Sequence, residues 1–316
     1  MKKFTLIFCC LILLLLSSNT CADHFPSKPL TLLVGFDRGG TMYTQAEVIA
    51  EALADILEQP VNIQVLTGLG GGVAVSMVAQ SQSEGYIIVL TISTPLTNPT
   101  DPDRFSFQLD DFRYIASISE NQNAIVTYEN APFSSWDEFL DYARQQNEVL
   151  YASQSFTDRL RIMQIAEQEG INVRVIPVSG GAGMVPLVLA EDVDIAFSGG
   201  THNSYVDAGQ MKVLASYNTN RLMEHPDVPT LLELGYPSIS SQSIRILAVP
   251  KNTPDYQYEI LQQALKKAVD DPAFVYAIEN KVRQPLRFMY GEELYSLLQE
   301  MRNDYLNMLN SMNDES

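Results

Sequence analysis

Cysteine is nearly absent from this chain. Three occur in 316 residues, and all of them (Cys9, Cys10 and Cys21) lie close to the N-terminus. Downstream of them there is no disulfide to staple the fold and no thiol for catalysis or metal binding. Histidine is equally sparse, and His24, His202 and His225 are too far apart for metal-ligand spacing. Surface positions are expected for His24 and His225, and an ordinary capping or loop role for His202. Positive charge is scarce too. Twenty Lys and Arg face 38 Asp and Glu, a formal charge of −18, which opposes nucleic acid and anionic membrane surfaces. The same field repels small anions at long range, so anion capture would have to depend on local dipoles. After the N-terminal segment no apolar run is long enough to span a bilayer.

Catalytic signatures are also missing. There is no Gly-x-Ser-x-Gly elbow, and without cysteine no Cys–His pair. Gly68-Leu69-Gly70-Gly71-Gly72-Val73 lacks the third glycine of a dinucleotide fingerprint, and no glycine-rich turn carries Gly-Lys-Ser/Thr. The acidic pairs Asp110-Asp111 and Glu292-Glu293 read as solvated surface. Trp136, the single tryptophan, sits early in a helical segment and reads as packing. No catalytic residue, metal or cofactor is expected.

What is present begins with a leader. Lys2 and Lys3 precede an apolar stretch over residues 4–16 and a small or polar end over 17–22. This is the pattern of a secretory signal peptide, with cleavage expected after Ala22. Its removal takes the formal charge from −18 to −20. The rival, lipidation of Cys21, is disfavoured because Ser18-Asn19-Thr20 lacks the leucine and final small residue of that signal. The mature chain is expected to be soluble and periplasmic.

Strand-like and helix-like segments then alternate. Strands are expected at 30–34, 61–65 and 86–91, with helices at 44–58 and 73–81 between them. This βαβαβ order argues for an open parallel sheet. A second alternation starts near residues 125–128. Ser135 with Glu138 forms a capping-box pattern there, and strands at 149–153, 173–178, 194–197 and 213–217 alternate with helices. A further strand at 244–249 and several helices close the chain. Two α/β lobes with the chain crossing between them twice place ligands outside the carboxyl ends of the strands, in an interlobe cleft.

Four turns carry Gly-Gly between a strand and a helix: "GFDRGGT" at 35–41, "TGLGGGVA" at 67–74, "PVSGGAG" at 177–183 and "FSGGTHN" at 197–203. Glycine admits tight positive-φ turns and close ligand approach, while free N–H groups of a helix's first turn attract anions. One such turn is an ordinary connection; four in corresponding positions indicate a binding cleft.

Taken in order, these turns resemble the solute receptors of tripartite tricarboxylate transporters, the Bug or TctC-type proteins. "FPSKPLTLLVGF", "GLGGGVAVSMVAQSQSEGY", "IPVSGGAGMVPLVLAEDVDIAF" and "NRLMEHPDVPTLLELGYPS" carry the resemblance across essentially the whole mature chain. It implies a two-lobed Venus-flytrap periplasmic binding protein of type II, α/β, each lobe a mainly parallel sheet with flanking helices. The implied division is residues 1–22 as leader, 23–123 plus 245–316 as lobe 1, and 124–244 as lobe 2. The implied activity is non-enzymatic: capture of a small organic carboxylate (di-, tri- or aromatic) by a monomer and delivery to membrane subunits. The implied first-lobe contacts are Phe36, Gly39, Gly40, Thr41 and Tyr43, then Gly70, Gly71 and Gly72, with Ser93. The second lobe would add Ser153, Gly180, Gly181, Ser198 and Thr201.

The chain departs from the family pattern at Asp37-Arg38 and at Met42-Tyr43. It also has Arg245 where the family commonly has a small residue. A cleft-edge arginine could hold a carboxylate, although a salt bridge to an acidic neighbour is the expected role. Two other readings share the sequence: the same fold as a ligand sensor for a membrane histidine kinase, or a hydrolase on an α/β scaffold.

Overall fold

The strand β1 (Leu30–Val34) is apolar at four of its five positions, with Thr31 the exception, and almost wholly buried, as expected of a central strand covered on both faces. The computed structural model describes residues 24–98, 107–236 and 243–314, the last seven of these by their helical backbone; the predicted leader lies outside them. β1 pairs in parallel with β2 (Val61–Val65) and with β3 (Ile87–Ile92). β10 (Ile244–Pro250) then pairs antiparallel with both β3 and β4 (Phe112–Glu120), and β11 (Leu286–Met289) pairs antiparallel with β4. The result is a six-stranded sheet in the order β11-β4-β10-β3-β1-β2.

The second sheet has five strands in the order β7-β6-β8-β5-β9. β6 (Val149–Ser153) pairs in parallel with β7 (Val173–Pro177) and β8 (Ile195–Ser198). β5 (Ala124–Tyr128) pairs antiparallel with β8 and β9 (Met211–Ser216). The expected parallel character therefore holds for β2-β1-β3 and β7-β6-β8. Strands beside the chain crossings, which must reverse direction, run antiparallel and make both sheets mixed.

Helices cover both faces of each sheet. On α1 (Thr41–Leu57), Met42, Ala46, Ile49, Ala50 and Leu53 fall on one stripe and are buried. They join Leu261, Ala264, Leu265 and Ala268 of α8 (Asp255–Val269) in one core. On the opposite face Ala74, Val75 and Val78 of α2 (Gly72–Ala79) pack with Leu294, Leu298 and Met301 of α10 (Gly291–Asp314). In the second lobe α4 (Trp136–Ala143) and α5 (Phe156–Glu169) share one core, and α6 (Gly181–Leu189) covers the other face. Short helices α3 (Thr94–Thr97), α7 (Asn203–Asp207) and α9 (Pro272–Tyr276) fill the connections.

Local chemistry explains where helices start. α1 begins directly after Gly40, earlier than the Thr44 that periodicity suggested. α5 begins at Phe156 because Ser155 and Asp158 close a complete capping box. At α4 the Ser135 hydroxyl accepts from Glu138 N–H, while the Glu138 carboxylate takes the N–H of Ser134 and not that of Ser135. Trp136 is buried, its Nε1 donating to the Tyr236 hydroxyl at 3.0 Å.

The chain crosses between lobes after β4 and again before β10, and asparagines tie the two crossings together. Asn121 N–H donates to Ser243 O at 2.7 Å, Asn218 Nδ2 to Asn121 O at 2.7 Å, and Tyr217 N–H to Asn123 O at 2.9 Å. Among the described residues no helix is long and apolar enough to cross a membrane.

Candidate functional site

The four glycine-rich turns all open onto the cleft between the lobes. Three of them start helices, α1 at Gly40, α2 at Gly71 and α6 at Gly180, and none of these three helices has a side-chain cap or an acidic residue in its first turn. By contrast, the helices that begin at Ser135 and Ser155 have both. The glycine-turn helices therefore present their positive ends uncompensated towards the cleft. Gly71 has φ 95°, and a Cβ there would stand 3.1 Å from the Phe36 ring, so glycine lets that ring close over the turn.

Phe36, with Gly70, Gln154 and Ser155, stands between two adjoining spaces of the cleft. It lines both an inner chamber of about 80 Å³ and an outer vestibule of about 690 Å³. Gly40, Thr41, Gly70, Gly181 and Thr201 face the inner chamber. Gly71, Ser153 and Gly180 face the vestibule with Arg159. Five other candidates line neither space. Gly39 and Gly72 contribute backbone turn and helix only, and Tyr43 turns aside to lie under the Arg38 guanidinium, 5.2 Å away. Ser93 is buried and its hydroxyl takes the Ile244 N–H at 3.2 Å. Ser198 is buried with its hydroxyl 3.0 Å from His202 Nδ1.

Of the histidines, His24 is exposed and His202 stands at the N-cap position of α7, as expected, while His225 is not at the surface. His202 is wholly buried, with its ring centroid 5.6 Å from that of His225. Burial, then His225 and Arg283, lower its pKa to about 3, so it is neutral at physiological pH. His225 is half-buried, its Nε2 3.1 Å from Asn203 Oδ1. Neither lines the chamber.

The decisive side chain is Arg245. Strand pleating puts it on the face that carries Leu247 and Val249, at the cleft end of β10. It is 1% exposed and lines the inner chamber. Its expected salt bridge does not form: all its partners among the described residues are neutral oxygens. Nε donates to Asn121 Oδ1 at 2.6 Å; Nη1 to Thr41 O at 3.0 Å and Gln45 Oε1 at 2.8 Å; Nη2 to Thr41 Oγ1 at 2.7 Å. The longest contact, Nη2 to Gly199 O at 3.4 Å, crosses to the second lobe. Burial pulls the guanidinium pKa down to about 9, and it remains a cation at neutral pH. Its hydrogen bonds are satisfied and its charge is not.

Facing it are residues that turn geometry alone did not point to: Asn98, Asn121, Asn123, Gln154, Thr157, Asp158, Tyr217 and Ser243. Asp158 is 1% exposed and accepts from Ser155 N–H and Oγ, both at 2.5 Å, Tyr151 Oη at 3.1 Å and Gln154 N–H at 3.2 Å. Burial raises its pKa to about 6 against the lowering effect of those donors. A Ser-x-x-Asp spacing ahead of an apolar stripe was the signal for it. A lone arginine in the otherwise apolar strand "IRILAVP" was the signal for Arg245.

The lobes touch across the chamber. Thr41 Oγ1 donates to Gly199 O at 3.4 Å, Asn98 Nδ2 to Thr157 Oγ1 at 3.3 Å, and Ser179 Oγ to the Asp37 carboxylate. Two α/β lobes, crossed by the chain and closed on a polar chamber, match a known sequence pattern. That of the tripartite tricarboxylate transporter family receptors (TctC) fits residues 45–313. The chain belongs to this family. It is a solute-binding receptor of the periplasmic binding class, and not an enzyme.

A UPF0065 protein of Bordetella pertussis is 29% identical over 310 residues, covering 96% of each chain. The structure of the periplasmic binding protein BugD superposes with a TM-score of 0.82 at 22% identity, covering 91% of this chain and 98% of that one. A Rhodopseudomonas protein, R. palustris Rpa4515 with adipate, gives 0.80 at 20% identity, covering 90% and 96%. At these identities the two structures establish the shared fold.

Proposed function

We propose that this receptor, exported by the leader cleaved after Ala22, captures a small organic carboxylate between residues 23–123 plus 245–316 on one side and 124–244 on the other. It then delivers the ligand, as a monomer, to the membrane subunits of a tripartite tricarboxylate-type permease. The observation that carries this reading is Arg245, a buried cation with no carboxylate partner among the described residues, set where the glycine turns meet. A buried charge left uncompensated is costly, and an anion brought beside it removes that cost. The family membership and the adipate bound by a structural relative support the same ligand chemistry.

In this mechanism the open receptor offers Phe36, Gly40, Thr41 and Gly70 on the first lobe. The carboxylate approaches Arg245 Nη2 and the uncapped start of α1. Closure then brings Gly181, Thr201 and Gly199 of the second lobe onto the ligand and excludes water. The ligand oxygen takes the place that Gly199 O holds at 3.4 Å. Closed lobes present one surface to the permease, so ligand occupancy becomes a shape.

A melting-point screen across mono-, di-, tri- and aromatic carboxylates tests the reading. A ligand at 100 times its Kd adds about 2.7 kcal/mol to stability and raises the melting point visibly. Absence of any shift across the whole panel refutes carboxylate capture.

A further inference from the structure

The charge inventory of the inner chamber goes one step further than "carboxylate". Among the described residues that line it, Arg245 is the one cation, and Asp37 and Asp158 are the two acids. Neither acid neutralises Arg245, whose partners are all neutral oxygens. Asp158 is committed to Ser155, Gln154 and Tyr151, and Asp37 to Ser179 across the cleft. Arg161, one turn along α5 from Asp158, is buried but does not line the chamber. Arg159 is exposed and lines the vestibule on the far side of Phe36.

One carboxylate brought into this chamber meets one cation. A second on the same small molecule meets no further cationic side chain among the described residues that line the chamber, only the backbone start of α6 at Gly181, and shares that space with Asp37 and Asp158. Like charges juxtaposed in such a site are strongly penalised, which is how sites reject near-isosteric competitors. Arg159 lines the adjoining vestibule and not the inner chamber of about 80 Å³. An ammonium or a neutral hydroxyl at the ligand's other end has acceptors in Asn98, Thr157 and Gln154 as well as the two acids.

We propose that the inner chamber selects a compact carboxylate with a single anionic group, its remainder neutral or cationic, over a dicarboxylate of equal length. This rests on the carboxylate-receptor reading above and names the substrate class within it. The receptor thereby differs from the relative whose structure holds adipate.

The test is calorimetric titration of the full exported chain with butyrate, 4-aminobutyrate, succinate, hexanoate and adipate. Butyrate or 4-aminobutyrate is expected to bind at least about 30-fold more tightly than succinate, the scale of one unpaired charge in a dry site. Asp37→Asn keeps an acceptor for Ser179 and is expected to narrow that gap to below about 10-fold. Arg245→Met is expected to weaken every member of the series. Succinate or adipate binding as tightly as the monoanions, and losing that affinity in Arg245→Met, overturns the selectivity while leaving the receptor reading intact. No heat with any of the five overturns both.

Discussion

Replacing Arg245 by methionine separates two roles that a buried arginine could have, holding the fold or holding the ligand. Burial lowers the guanidinium pKa from 12.5 to about 9, which corresponds to about 5 kcal/mol against the charged form in the folded state. Methionine of similar length removes that cost. It also orphans Asn121 Oδ1, Gln45 Oε1 and the two Thr41 oxygens, at about 1–3 kcal/mol for each acceptor that finds no new donor. The two effects oppose each other and are of similar size. The ligand-free variant is therefore expected to melt within a few degrees of the parent.

Binding has no such cancellation. A carboxylate about 4 Å from the guanidinium gains about 4 kcal/mol at an effective dielectric of 20, and loss of one partner in a buried charge pair costs about 2–5 kcal/mol. Arg245→Met is thus expected to weaken carboxylate binding by about 30- to 4,000-fold. Arg245→Lys keeps the charge and loses the fork, and is expected to fall between. The assays are differential scanning fluorimetry without ligand and calorimetry with the tightest carboxylate found. Affinity within about threefold of the parent, whatever the melting point does, refutes the assignment of Arg245 to the ligand.

Three further expectations follow from the same geometry. A Cβ on Gly181 would lie 2.1 Å from Thr201 Oγ1, whereas one on Gly40 meets nothing nearer than 3.7 Å; Gly181→Ala should lower stability by about 1–3 kcal/mol and Gly40→Ala by less than about 1 in urea titration. His202, held at about 3 against an ordinary 6.5, contributes about 5 kcal/mol that is present above pH 6.5 and lost as pH falls towards 3. Asp158, raised from 3.8 to about 6, works in the opposite sense, contributing about 3 kcal/mol present below pH 3.8 and lost as pH rises through 6. The two slopes cancel between about pH 6 and 3.8, so the net loss on acidification, about 2 kcal/mol, falls between pH 6.5 and 6 and again below 3.8. In His202→Asn only the Asp158 contribution remains, and stability should rise as pH falls from 6 to 3.8; an unchanged profile refutes the assignment. Finally, Asp37→Ala removes the contact to Ser179 that joins the lobes at the cleft rim. Small-angle scattering of the ligand-free variant should show a larger radius of gyration than the parent, and an identical profile would show that this contact does not hold the lobes together.

The comparison between sequence and structure is uneven for identifiable reasons. Local patterns were readable: the apolar runs of β1 and β3, the amphipathic stripe of α1, the Ser155-to-Asp158 cap, and the glycine turns that open the cleft. Each is set by neighbours within a few residues. Ser93 and Ser198 line neither space, for a reason the sequence does not show. Each hydroxyl has a choice between the cleft and an adjacent donor, and Ile244 N–H and His202 take them. Tyr43 likewise lines neither space, its ring lying under the Arg38 guanidinium.

Arg245 shows the other limit. Its hydrogen-bond partners lie at Thr41, Gln45, Asn121 and Gly199, drawn from three different elements and two lobes. Nothing in "IRILAVP" states whether an acid waits opposite the arginine, and with 38 acids in the chain a salt bridge was the natural expectation. Which side chains surround a strand residue depends on sheet order, and β10 enters the sheet between β3 and β4 only after the chain has made and left an entire second lobe.

The sequence by itself determined the α/β alternation, the four glycine turns and the family pattern. Short-range spacing and residue chemistry encode all of these. The tertiary structure alone decided that Arg245, the one cation among the described residues of the inner chamber, has no acidic partner among them, and that Phe36 lies between two adjoining spaces of the cleft. It also decided that two acids share the inner chamber with that cation. Burial and charge pairing are properties of the assembled surface, where residues remote in sequence meet and water is displaced.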